Sequence, residues 1–330
     1  MADIDLDLLA WIAGLVILLG TFAYALRHMR EIPRLAAYFE LVRPFTLLAP
    51  AILGVSFGIM GESSRGWADW SANPQFFVSQ LLFGVGALVL VNAASNALNA
   101  VYDLDIDRIN KPQRPLPRGA IDPHEATTIA WLLYLITLFR ATFINAWFGA
   151  FVLVIMCITV AYNAPPFRLK KRFLVNNASI ALARGVFGVL ASWSIFGDPL
   201  SPVPWTVGFI LFVFLLGAAT TKDFSDIAGD RAYGVKTLPV VVGVERAATI
   251  TATFFVIPLA FIPVMVYFGL LYTNAWYLIF LGIWGAIVFK NTKEWAEARD
   301  VTMENNPLWV HMYLLLMTLG IGFAATYVLL

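Results

Sequence analysis

The sequence predicts an all-α polytopic membrane protein, and three observations carry that reading. The 330 residues are 60% hydrophobic and only 13% charged. Mean hydropathy is +0.77. Apolar runs of about 20 residues, enough to cross a hydrocarbon layer about 30 Å thick, succeed one another along the chain. A soluble chain of this length needs a far larger polar surface, so a water-soluble enzyme or binding module is excluded. The net charge of +1 gives no basis for a nucleic-acid partner.

The runs lie near 8–26, 41–60, 77–102, 124–140, 142–162, 175–196, 204–221, 247–268, 273–290 and 308–329, giving ten candidate spans. Asp3, Asp5 and Asp7 precede the first run, and Arg27 and Arg30 follow it. A secretory signal has the opposite charge order. The run therefore reads as a retained transmembrane helix with its N-terminus outside. Residues 31–39 are too polar to span, and Arg30 and Arg34 stand opposite Leu35, Tyr38 and Phe39. That segment reads either as an interfacial helix or as a plain connector. Arg140 divides the fourth run from the fifth with almost no loop and reads as a charge at the outer face.

Loop charge sets the orientation. The alternate loops 27–40, 103–123, 163–174, 222–246 and 290–307 carry the basic residues, whereas the opposite loops offer only Arg65 and Arg140. By the positive-inside rule the basic loops face the cytoplasm, which places the protein in the cell membrane. Cys157 is the only cysteine, so no intrachain disulfide forms, and inside an apolar helix it reads as packing. His28, His124 and His311 lie too far apart for a histidine-built metal site.

Two loops share a pattern. Asn99-x3-Asp103-x3-Asp107-Arg108 precedes Arg114-Pro115-Leu116-Pro117, and Lys222-x3-Asp226-x3-Asp230-Arg231 precedes Lys236-Thr237-Leu238-Pro239. Each copy ends an apolar run and leads through Leu-Pro into the next, as an internal duplication does. The copies sit four spans apart, so both end on the cytoplasmic side. Residues four apart differ by about 40° around an α-helix and about 6 Å along it. Asn99, Asp103 and Asp107 therefore share one face, as do Lys222, Asp226 and Asp230. Asp105 points away, and Asp223 is about 60° off the Asp226 face. Asn110-Lys111-Pro112 must end the first helix soon after Asp107.

Carboxylates crowded on one face need a cation. Hard oxygen ligands in this number suit Mg²⁺, which keeps waters and bridges phosphate oxygens. Two such clusters around one cavity can hold two Mg²⁺ ions against one diphosphate. Lys111, Arg114, Arg168, Lys170, Lys222 and Lys236 are the candidates to contact the remaining oxygens. Arg184, a lone charge inside the sixth span, either faces the cavity or pairs with a buried polar group.

These motifs resemble the two aspartate-rich motifs of the UbiA superfamily of intramembrane prenyltransferases. Arg43-Pro44, "INKPQRPLPRG" (109–119), "AYNAPPFRLK" (161–170) and "GDRAYGVKTLPVVVG" (229–243) extend the match, which covers about 38–330. The resemblance implies nine transmembrane helices around a central cavity, with residues 1–37 as an extra N-terminal helix and connector. That extra helix either anchors the chain or docks a protein partner. The implied reaction is Mg²⁺-dependent transfer of a polyprenyl group from a polyprenyl diphosphate to a lipophilic acceptor. Asp103 and Asp107, with Asn99, would hold one Mg²⁺, and Asp226 and Asp230 the other. Lys222 would contact the diphosphate, and Tyr162 and Lys170 would approach the head group. The stretch after the first motif is similar to the branch of digeranylgeranylglyceryl phosphate synthases, chlorophyll synthases and homogentisate prenyltransferases.

Two positions depart from the family pattern: Ala228 replaces a frequent glutamate, and Asn163 a frequent serine. The acceptor stays open between a quinone-precursor ring and a glyceryl phosphate lipid, with chlorophyll synthase-like esterification as an alternative. An ion-coupled transporter built on the repeat is the competing class. Its ionisable residues would sit near the midplane, whereas both clusters here lie at the cytoplasmic edge.

Overall fold

The computed structural model describes residues 33–329 continuously, with positions 20 and 27 before them. The expected first span, near 8–26, lies outside that continuous stretch. Every regular element among the described residues is helical. Seven segments are long and apolar enough to cross a membrane: Pro44–Ser63, Pro74–Tyr102, Ala146–Asn163, Pro202–Ala232, Val244–Tyr267, Thr273–Glu297 and Pro307–Val328.

Two expected spans fall outside that set although both are helical. Pro123–Thr142 begins with His124 and Glu125 and ends near Arg140. The run near 175–196 is broken: Val175–Ala181 and Phe187–Trp193 flank a π turn at Leu182–Val186. Charge shortens the apolar stretch in the first case, and Asn176, Asn177 and Arg184 make the second too polar.

Several helix starts follow from one local device. Asn73-Pro74, Asp122-Pro123 and Asn306-Pro307 each place a short polar side chain before a proline. Asn73, Asp122 and Asn306 accept from the backbone N–H of Phe76, His124 and Trp309 at 3.0, 2.8 and 2.9 Å. The side chain satisfies an N–H that the helix leaves free, and proline supplies the helical φ without needing a donor.

Within a bilayer the helices gain little from hydrophobic transfer, so close packing decides how they associate. Ala87, Ala94 and Ala97 of Pro74–Tyr102 and Ala126, Ala130 and Ala141 of Pro123–Thr142 are all buried completely. These small residues let the two backbones approach. Leu135, Phe139 and Ile283 point outward, more than 60% exposed, as lipid-facing side chains do. Cys157 is exposed on Ala146–Asn163 rather than packed in the core, correcting the reading of it as a packing residue.

Arg140 also differs from expectation. It is not a free loop charge: its guanidinium lies 3.8 Å from the Phe83 ring centroid and donates to Phe83 O at 2.7 Å. A Cβ at Gly86 would stand 2.5 Å from its Nη2, so a bare glycine admits the side chain. The helix Pro33–Val42 covers the connector and is fastened where Arg34 Nη2 meets Glu125 Oε1 at 2.9 Å.

Candidate active site

Both aspartate motifs fold as a long helix, a kink at the first aspartate, and a short helix. Asp103 has φ −104° and ψ 7° between Pro74–Tyr102 and Leu104–Asn110. Asp226 has φ −110° and ψ 3° before Ile227–Ala232. Both occupy the sparsely allowed bridge region, where many functional residues sit. In the first motif the i→i+4 ladder survives the kink. The N–H groups of Asp103, Asp107 and Lys111 donate to the carbonyls of Asn99, Asp103 and Asp107 at 2.9, 2.7 and 2.7 Å. The second motif is approached differently, through a 3₁₀ segment at Ala219–Asp226.

The 3₁₀ geometry changes which carboxylates cooperate. Three residues make one turn, so Asp223 and Asp226 align on one face. Asp223, about 60° off in an α-helix, is buried and lines the same cavity as Asp226 and Asp230. Lys222 pairs with Asp223 and donates to Tyr162 Oη at 3.3 Å. Asp230 is buried and accepts from Thr237 Oγ1 at 3.2 Å.

The two short helices pack on each other. Asn110 Nδ2 donates to Asp226 O at 2.9 Å, and Gly229 N donates to Asn110 Oδ1 at 2.8 Å. A Cβ on Gly229 would lie 2.9 Å from Ile106 O and 2.6 Å from Asn110 Nδ2, so only glycine lets the backbones meet. Lys111 reaches across to form an ion pair with Asp226. The loop of the first motif thus supplies the counter-charge of Asp226.

Cations surround the remaining carboxylates. Arg114 Nη1 donates to both oxygens of buried Asp107 at 3.1 and 3.0 Å, and its Nη2 lies 3.3 Å from Glu304. Lys170 pairs with Asp103, and Arg168 Nη2 lies 3.7 Å from that carboxylate while donating to Tyr102 O at 2.7 Å. Asn99 Nδ2 donates to Asp103 Oδ2 at 2.6 Å and to Asn163 Oδ1 at 3.0 Å. Arg43 Nη2 donates to Asn99 Oδ1 at 3.0 Å. Burial pushes the Lys111 and Lys170 ammonium groups below the usual lysine range, and Asp226 and Asp230 respectively pull them back up. Both are desolvated cations, a state that favours contact with an anion.

A cavity of about 640 Å³ joins these groups. Asn99, Asp103, Asp107, Lys111, Arg114, Tyr162, Lys170, Arg184, Lys222, Asp226 and Asp230 all line it. Arg168 stands behind Asp103 rather than on the wall, and Lys236 is exposed outside the cavity. Asp105 is 61% exposed and pairs with Arg108 at 2.8 Å, away from the cavity. Phe45, Trp309 and Tyr313 form an aromatic wall, with ring centroids 5.0, 5.5 and 4.8 Å apart.

Sequence reasoning gave Arg43 and Glu304 no place in the site and left Asp223 open. Arg43 carried a signal: a charge before proline inside an apolar run, here held at a left-handed φ of 53°. Asp223 was hidden by the assumption of α-helical spacing. Glu304 joins through a distant loop and had no local signal. Of the two departures, Asn163 is fully buried and orients Asn99, whereas Ala228 is exposed.

Among the described residues no group of three or more His, Cys, Asp or Glu side chains is placed to hold a metal unaided. Mg²⁺ needs less, because one or two carboxylates with phosphate oxygens and waters complete its shell. The cavity offers carboxylates in tandem, and Asp223 Oδ2 is buried without a hydrogen-bond partner. That donor set fits a divalent cation bound together with a diphosphate.

Residues 47–305 match the model of the UbiA prenyltransferase family. The chain belongs to that family. It is an integral-membrane prenyltransferase, as the seven apolar segments and the family match require. The chain is 30% identical over 241 residues to the digeranylgeranylglyceryl phosphate synthase of Thermococcus kodakarensis, covering 72% of this chain and 80% of that protein. It is 31% identical over 215 residues to the chloroplastic chlorophyll synthase of Arabidopsis thaliana, covering 63% of this chain and 54% of that one. A UbiA homologue from Archaeoglobus fulgidus, solved with GPP and Mg²⁺, shares the fold with a TM-score of 0.61 at 22% identity. That alignment covers 89% of this chain and 100% of the solved one.

Proposed function

We propose that this prenyltransferase moves a polyprenyl group from a polyprenyl diphosphate to a lipophilic acceptor in a Mg²⁺-dependent reaction, with a glyceryl phosphate lipid as the acceptor. The observation that carries the reading is the convergence of two kinked aspartate motifs and their basic partners on one cavity. The name of the Thermococcus relative supports the acceptor.

Asp103 and Asp107, held by Asn99, would bind one Mg²⁺, and Asp226 and Asp230, joined by Asp223, a second. When bound, Mg²⁺ supplies Lewis-acid withdrawal of charge from the diphosphate. Lys111, Arg114, Lys170 and Lys222 then exchange their carboxylate partners for diphosphate oxygens, arginine by its fork and lysine as a point charge. Arg168 holds the Asp103 end in place. The allylic C–O bond breaks, and its electron pair leaves with the diphosphate. The acceptor forms the new bond to the same carbon and releases a proton. Phe45, Trp309 and Tyr313 keep water off the allylic cation, and their ring faces attract it. The bias of loop charge supports a cytoplasmic position for both motifs.

The test is purified protein with Mg²⁺, geranylgeranyl diphosphate and a panel of acceptors, following diphosphate release and prenylated product together. A prenylated glyceryl phosphate product is expected, with turnover lost in EDTA. Absence of product with every acceptor and chain length would sink the reading.

A further inference from the structure

The cations lining the cavity fall into two groups. Lys111, Arg114, Lys170 and Lys222 each pair with a carboxylate of the motifs. Arg118 pairs with Glu40 at 2.9 Å, and Arg43 is tied to the first motif through Asn99 at 3.0 Å. Arg184 stands apart. Like Arg43 it lines the cavity and makes no ion pair among the described residues, but its amide partner lies outside both motifs: its Nη2 donates to Asn92 Oδ1 at 2.9 Å.

The position of Asn92 sets the depth of this cation. Asn92 precedes Asn99 by 7 residues on one helix. That spacing puts it about 20° around and about 10 Å further into the bundle. Asn92 is itself oriented, because its Nδ2 donates to Thr46 O at 3.2 Å and so turns its oxygen toward Arg184. A neutral amide fixes the guanidinium without cancelling its charge. The π turn Leu182–Val186 carries Arg184, and Gly185 presses it against the next helix, where a Cβ would meet Phe212 N at 2.7 Å. Such turns are rare and occur often at functional sites.

An unpaired guanidinium inside a membrane bundle is expensive. Its charge is hydrogen-bonded but not cancelled, and is available to an anion that enters the cavity. Arg184 lies about two helical turns deeper than the diphosphate clamp, out of the group of cations that pair with it. We infer that Arg184 binds an oxyanion, phosphate or carboxylate, carried by the acceptor, and so selects anionic acceptors over neutral ones. This inference rests on the cavity being a prenyl-transfer site. The dimensions agree: four or five covalent bonds from nucleophile to oxyanion plus a near-attack gap of about 3 Å span about the same distance. A guanidinium suits the task because its fork meets two oxygens at once.

The experiment measures acceptor binding separately from turnover. Calorimetry in detergent with Mg²⁺ would use geranylgeranylglyceryl phosphate and 4-hydroxybenzoate as anionic probes, and geranylgeranylglycerol and phenol as their neutral counterparts. Geranyl diphosphate binding is measured in parallel. The native protein is expected to bind one anionic probe at least tenfold more tightly than its neutral counterpart, and which probe does so identifies the source of the oxyanion. Arg184→Gln should remove that preference while leaving geranyl diphosphate affinity within twofold, and Arg184→Lys should keep part of it. Asn92→Asp conserves side-chain size and gives Arg184 an internal counter-charge, so it should weaken the anionic probe as Arg184→Gln does. Equal affinity of anionic and neutral probes in the native protein would overturn the inference. So would an unchanged preference in Arg184→Gln, or an equal loss of geranyl diphosphate binding. Arg184-dependent anion binding without any product would uphold an oxyanion site at Arg184 but overturn its role in selecting a prenyl acceptor, and with it the transfer reaction.

Discussion

The two aspartate motifs read as copies, yet they are built by different helical geometries. The first keeps α-helical spacing through its kink, so every fourth side chain stays on one face. The second arrives on a 3₁₀ segment, Ala219–Asp226, which brings every third side chain together and recruits Asp223. The motifs also differ in where their counter-charge originates. Asp103 takes Lys170 from the 163–174 loop, and Asp107 takes Arg114 from its own loop. Asp226 takes Lys111 from the other motif. Equivalent sequence spacing therefore yields two halves of which only the second, at Asp226, takes a counter-charge from the other.

The largest expected effects test whether the halves are equally necessary. Asp103→Ala and Asp226→Ala should each reduce prenyl transfer by more than about a hundredfold, beyond the 10–100-fold usual for residues that only orient ligands. A much smaller loss in either one would show that a single motif suffices. Asp223→Asn tests the 3₁₀ geometry directly. It should cost about 10- to 100-fold in the same assay, whereas Asp105→Ala, facing away with Arg108, should stay within about threefold of the native rate. Equal effects at the two positions would mean that the helical faces are wrongly assigned.

These contrasts mark what a sequence can carry. Apolar runs and loop charge are long, redundant signals, so the membrane class and most helices were legible. The α-spaced stripe Asn99, Asp103 and Asp107 was legible too, because its geometry follows from one period. Asp223 was not, since the choice between α and 3₁₀ winding is made by packing around residues 219–226 and not by their own propensities. Lys236 shows the converse. It stands two residues before the Leu of Leu-Pro as Arg114 does, though one residue nearer the second aspartate, and the chain after Asp230 turns it outward, where its backbone N–H meets Lys171 O at 3.3 Å. The nearly absent loop at Arg140 likewise concealed a side chain that folds back onto Phe83 and Gly86.

The dependence of the second motif on the first predicts stability effects. Lys111→Met would leave Asp226 without its cation, at a cost of about 3 kcal/mol, read as a lowered melting temperature in detergent. Added Mg²⁺ should restore more stability to this variant than to the native protein, because a divalent cation then supplies the missing charge. Equal Mg²⁺ stabilisation of both would break the link between Lys111 and Asp226. Gly229→Ala places a Cβ 2.9 Å from Ile106 O and should destabilise the contact between the short helices by about 1–3 kcal/mol.

The smallest expected effect decides between sequence symmetry and geometry. If the repeat alone assigned function, Lys236 and Arg114 would matter equally, since each precedes a Leu-Pro at the same offset. The structure separates them: Arg114 grips both oxygens of Asp107 at 3.1 and 3.0 Å, while Lys236 is exposed. Lys236→Ala should therefore change kcat and the KM for the prenyl diphosphate by less than about twofold, as surface substitutions usually do. Arg114→Ala should raise that KM at least tenfold, because it removes the guanidinium whose Nη1 spans both oxygens of Asp107 and which is proposed to pass to the diphosphate. A large Lys236 effect would mean that the two loops serve the diphosphate equally despite their different contacts.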